Sequence, residues 1–158
     1  MFIFEILVLA VVFTFIANGM RAGAIETLGR LFGSIFGFLA AKYYSAWVIG
    51  VLGLFLPSDW AYLVAFVLIF MVVDFALGFF FKVAEKLFKV VTKLPILKQV
   101  NGLLGGFFGF IEAVIVIGGV NWLLNQGAFA EGGLSFVTSL RTMKALNALF
   151  QFLLAFLL

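Results

Sequence analysis

The sequence predicts an all-α integral membrane protein of four transmembrane helices, with interfacial amphipathic helices and glycine-mediated packing. Three observations predict it. Of the 158 residues, 66% are hydrophobic and 11% charged, whereas soluble domains run at about 45–50% apolar and about 25% charged. Apolar runs approaching or reaching the roughly 20 residues needed to cross a bilayer recur four times. Two of these runs open with Asn-Gly and then lay glycines along a helix. One is Asn18-Gly19 before Gly23, Gly29, Gly33 and Gly37; the other is Asn101-Gly102 before Gly105, Gly106, Gly109, Gly118 and Gly119. Glycine weakens a soluble helix, but in lipid it lets two backbones approach closely. With a mean hydropathy of +1.30, residues 1–158 leave room for a single membrane domain and no soluble one.

The first span covers 2–17. It lacks a basic leading region and a clean cleavage site, so it reads as a retained helix rather than a signal peptide. Glu5 lies near its outer end, and 18–23 reads as a tight connection. The second span covers 24–41, closed by the interface anchor Lys42-Tyr43-Tyr44. Residues 45–56 are apolar but too short to cross, and they predict an interfacial helix. Pro57-Ser58-Asp59 interrupts the chain before a third span over 60–81.

Residues 82–94 predict an amphipathic surface helix stopped by Pro95. Lys82, Lys86, Lys89 and Lys93 fall on one face, placed to meet lipid headgroups. The fourth span covers 102–124. A glycine-rich loop, 126–133, precedes a tail over 135–158. There Thr138, Arg141, Lys144, Asn147 and Gln151 form a polar stripe, which favours an interfacial helix over a fifth span.

Lysine placement sets the orientation. Five of the ten basic residues lie in 82–98 and Arg21 lies in the first connection, so both segments are expected in the cytoplasm. Both termini are then outside.

Four ionisable residues fall inside apolar sequence: Glu26, Arg30, Asp74 and Glu112. Arg30 is eight residues beyond Ala22 and Asp74 eight before Lys82, each about 12 Å from the cytoplasmic edge. Glu112 is eleven residues beyond Asn101, about 16 Å in. Isolated charges there cost at least about 2.5–3.5 kcal/mol each. Pairing is the cheapest resolution: Arg30 with Glu26, one turn away, and with Asp74 or Glu112. One reading is a polar clamp that fixes helix register; the other is a pathway for protons, ions or a small solute. The clamp is favoured because one Arg-Glu turn disposes of two charges locally.

Gly29, Gly33 and Gly37 are four apart, as are Gly105 and Gly109. They predict close helix crossings, with the second and fourth spans running parallel, or a seam between copies of the chain.

The chain has no cysteine and no histidine. That removes disulfides, Ser-His-Asp and Cys-His catalysis and nearly every zinc or copper site. No phosphate-binding loop, GxSxG or HExxH occurs. The reading is therefore of a protein that is not an enzyme and has no catalytic residue, metal site or cofactor. The net charge of +3 reflects lysine placement rather than nucleic-acid binding.

Two segments carry a resemblance. One is Gly19-Met20-Arg21-Ala22-Gly23, Glu26, Gly29, Gly33, Gly37 and Ala40-Ala41-Lys42-Tyr43-Tyr44. The other is Lys98-Gln99-Val100-Asn101 leading to Gly105 and Gly109. Their order and spacing resemble the CvpA family, the colicin V production proteins of bacterial inner membranes, over nearly the whole chain. Ala22 stands where the family usually has a second Arg, Gly102 where an Arg is common, and Glu112 where a cation is common. The resemblance implies a small multi-pass inner-membrane protein tied to colicin V production or export and to envelope homeostasis. It implies no catalytic residue. The expected partners are the lipid bilayer, further copies packed through the Gly29, Gly33 and Gly37 face, and an envelope or export protein.

Overall fold

The computed structural model describes residues 2–88, 95–125 and 139–157. Within them the chain is all-helical: α1 (Phe2–Ala22), α2 (Ala24–Leu52), α3 (Ser58–Phe88), α4 (Pro95–Leu124) and α5 (Arg141–Leu157). The first four are long and apolar enough to cross a membrane. At about 1.5 Å per residue, the 29 residues of α2 reach roughly 44 Å. That exceeds a hydrocarbon core of about 30 Å, so its ends run into the headgroup layers or the helix tilts.

The helices are longer than the apolar runs suggest. The expected connection at 18–23 is helical through Ala22, and the chain turns only at Gly23. Gly23 has φ +90°, a region that side-chain-bearing residues avoid. The expected interfacial helix over 45–56 is instead the continuation of α2 to Leu52. Nothing between Ala41 and Leu52 breaks a helix, and Ser45 is buried. Likewise 82–88 continue α3 rather than starting a new helix. Pro95 opens α4, where a missing N–H costs nothing. Lys89 and Lys93, the remainder of the 82–94 helix and the 126–133 loop lie outside the described residues.

The bundle is built from two antiparallel pairs. In one, α1 crosses α4, with Phe15 against Gly109 and Gly19 against Gly105. In the other, α2 crosses α3, with Gly29 against Phe81, Gly33 against Asp74 and Gly37 against Phe70. The pairs meet chiefly along α2 and α4, which run parallel. At one end of that seam the rings of Phe38, Phe66, Trp122 and Phe150 interlock, with centroids 5.2–5.9 Å apart.

Helix α5 lies against this bundle. The Arg141 N–H, at its start, donates to Glu5 Oε1 of α1 at 3.3 Å. Its middle presses Phe150 onto Gly118 of α4 and against Phe38 of α2, and Leu153 and Leu154 line a small cavity with Ile35 and Leu39 of α2. It thus passes from α1 to α2 across α4. Leu140, Met143, Leu146 and Phe150 are buried, while Arg141, Lys144 and Gln151 are exposed.

Candidate functional site

The membrane-embedded charges gather on the α2–α4 seam, at the end opposite the ring cluster. Arg30 of α2 donates from Nη2 to Glu112 Oε2 of α4 at 2.8 Å, and from Nε to the same oxygen at 3.2 Å. The glutamate side chain is 7% exposed and the arginine 28%. A charge pair of this kind offsets much of the cost of holding either ion away from water.

Arg30 also reaches toward α3. A Cβ built on Gly78 would stand 4.0 Å from Arg30 Cγ. Arg30 therefore lies in a cleft between α3 and α4. Phe66 and Trp122 join these two helices at the far end.

Asp74 of α3 sits in the same cleft; among the described residues no cation is within ion-pairing distance of its carboxylate, and Arg30 acts on it only through space. Its backbone and carboxylate rest on Gly33, where a Cβ would come within 2.7 Å of Asp74 Oδ1 and 2.9 Å of its carbonyl oxygen. The Ser34 hydroxyl is 3.4 Å from Asp74 Oδ1 and 3.0 Å from the Arg30 carbonyl oxygen. One hydroxyl has one hydrogen, and the carbonyl is nearer.

The expected Glu26–Arg30 pairing is not what the structure holds. Arg30 turns to α4, and Glu26 instead faces Lys82 of α3, with Nζ and Oε1 3.9 Å apart. Tertiary pairing across a buried seam outweighs an i,i+4 contact worth only about 0.2–0.5 kcal/mol. Lys82 and Lys86 are both exposed.

The glycines divide their work. Gly29, Gly33 and Gly37 are buried against α3, so that face is closed to a second copy of the chain. The buried stripe continues every fourth residue to Ala41 and Ser45. Gly105 and Gly109 meet α1: a Cβ on Gly105 would stand 2.9 Å from the Gly19 carbonyl carbon and equally close to that of Gly23 at the turn into α2, and one on Gly109 would meet Phe15 and Ile16. The two rows thus serve the antiparallel crossings, while the parallel α2–α4 crossing is made by side chains, with Phe38 of α2 lying on Gly119 of α4.

The roles of Asn101 and Thr27 at the start of α2 escaped the sequence reading. Asn101 Oδ1 accepts the Ala24 N–H at 2.9 Å. It caps α2 from α4, because Gly23 at the cap position has no side chain to do so. Thr27, fully buried, donates to the Gly23 carbonyl at 2.7 Å. The signal for Asn101 lay in its place ahead of a glycine helix; its partner, 77 residues away, left no local trace.

A family model described as Colicin V production protein matches residues 4–149. The chain belongs to this family. The match to the Colicin V production protein family runs from α1 into α5, so the cleft and both glycine crossings lie inside it. No curated protein and no solved structure matches the chain. A Cβ on Gly102 would lie 3.3 Å from the Met20 carbonyl oxygen of α1. Among the described residues no group of His, Cys, Asp or Glu is placed to hold a metal ion.

Proposed function

We propose that the chain is a non-enzymatic inner-membrane protein that serves colicin V production and export and envelope homeostasis as a scaffold or accessory subunit. One observation carries the reading: polar groups on different helices tie those helices to one another. Arg30–Glu112 and Asn101–Ala24 join α2 to α4, Glu26–Lys82 joins α2 to α3, and Glu5 meets the start of α5. A bundle clamped at so many points suits a platform that presents fixed surfaces to other proteins. The process itself comes from the family's description.

In this reading the lysine-rich end faces the cytoplasm and both termini lie outside. Self-association uses surfaces other than the Gly29, Gly33 and Gly37 face, which α3 occupies. The test is toxin secretion from a colicin V-producing strain that lacks its own family member. Expression of this chain restores secretion, and a Gly105→Leu variant, whose α1–α4 crossing is blocked, does not. Secretion that is the same with and without the chain overturns the proposal.

A second reading is an ion- or proton-coupled channel or transporter subunit. It is favoured by the partial exposure of Arg30 and by Asp74, which forms no ion pair among the described residues. Flux across proteoliposomes that disappears in Asp74→Asn or Glu112→Gln supports it. Unchanged phenotype in both variants removes it.

A further inference from the structure

We propose that the cleft between α3 and α4 receives a transmembrane helix of another protein, and that a lysine or arginine in the middle of that helix pairs with Asp74. The inference rests on the accessory-subunit reading and names where the partner docks.

Depth makes the carboxylate demanding. In the spanning segment Trp60–Ala84, Asp74 lies fourteen residues from one end and ten from the other, about 21 Å and about 15 Å. It is only half-buried, and Phe75 beside it is 76% exposed. Among the described residues its side-chain hydrogen-bond partner is the Ser34 hydroxyl, which already points at the Arg30 carbonyl. Arg30 gives both of its hydrogen bonds to Glu112. Among the described residues the cleft therefore holds two carboxylates, Glu112 and Asp74, around one cation, Arg30, whose hydrogen bonds go to Glu112.

Gly78 makes the cleft fit a helix. The crossings at Gly29, Gly33 and Gly37 need glycine, because a Cβ there would collide with α3. Gly78 is different: its missing side chain meets nothing closer than Arg30 Cγ at 4.0 Å. Its cost to helix stability, about 1 kcal/mol, is not repaid inside the bundle. One turn beyond Asp74, it leaves a flat approach on which another backbone can lie beside the carboxylate. A second copy of this chain does not supply the cation. Its cation at this depth, Arg30, is already held by Glu112.

The probe is a synthetic leucine-rich transmembrane peptide with one central lysine, compared with otherwise identical peptides carrying central leucine or glutamate. Association with the full chain is read by energy transfer in liposomes. The lysine peptide is expected to bind at least about tenfold tighter than the leucine peptide. Asp74→Asn removes the difference, Asp74→Lys turns the preference to the glutamate peptide, and Gly78→Leu weakens binding of the lysine peptide. Thermal unfolding of each variant in detergent confirms that the bundle is intact, and the peptide series on the unaltered chain does not depend on any variant. Equal binding of lysine and leucine peptides overturns the proposal, as does a lysine preference that survives Asp74→Asn. Proton flux through the chain alone that Asp74→Asn abolishes overturns it in favour of a proton site. Toxin secretion is read separately: a lysine preference without restored secretion keeps the cleft and removes the process, and the converse removes only the cleft.

Discussion

The Arg30–Glu112 pair predicts a strongly non-additive double-mutant cycle. Glu112 is 7% exposed and accepts from two nitrogens of Arg30, at 2.8 and 3.2 Å. Arg30→Gln leaves that carboxylate charged and almost dry, or forces a proton onto it. Losing one partner of a buried pair costs about 3–5 kcal/mol. Arg30 is 28% exposed, so Glu112→Gln, which strands the arginine, sits below that range at roughly 2–3 kcal/mol, near the insertion cost of a lone charge. The double variant strands neither charge, and two amides can bond across the seam. Its loss should be smaller than the sum of the singles by about 1–3 kcal/mol, typical of directly contacting residues. The assay is reversible unfolding in mixed micelles, followed by helical circular dichroism across a denaturing-detergent titration. Additive losses, or a double variant worse than the sum, would refute the reasoning and show that each charge finds water instead.

Other predictions follow from the close approaches. Gly105→Ala should destabilise by about 1–3 kcal/mol, because its Cβ meets backbone rather than a movable side chain. Gly50→Ala, with nothing within 4 Å, should be neutral or gain up to about 1 kcal/mol in the same titration. Asn101→Ala removes the cap on Ala24 and should cost about 0.5–2 kcal/mol, with faster amide exchange confined to the first turn of α2. Gly118→Val should push Phe150 off α4. A cysteine placed at Met143, a position 4% exposed, then becomes reactive to maleimide, while without Gly118→Val it stays protected.

Much of the fold was legible because composition alone excludes a soluble core and apolar length counts the spans. Helix ends were less so. Lys42-Tyr43-Tyr44 and Lys82 read as boundaries because they suit an interface, yet neither breaks a helix, and α2 and α3 run through them. The charge site was half legible. Depth arithmetic brought Arg30 and Glu112 to similar levels, and they do pair; helical spacing favoured Glu26 for Arg30, which Lys82 took instead. Depth says which groups share a layer but not which helices are neighbours.

What the sequence determined by itself is the solvent: 66% apolar residues, four spans and glycines four apart commit the chain to lipid and to close helix crossings. What only the tertiary structure decided is which helix each glycine row meets. Glycine presents no side chain, so it carries no mark of its partner. The match is set by the surfaces opposite: Phe81, Asp74 and Phe70 on α3, Gly19 and Phe15 on α1. That choice turned two apparent faces of one contact into two antiparallel pairs, and it left Arg30 and Glu112 to join them.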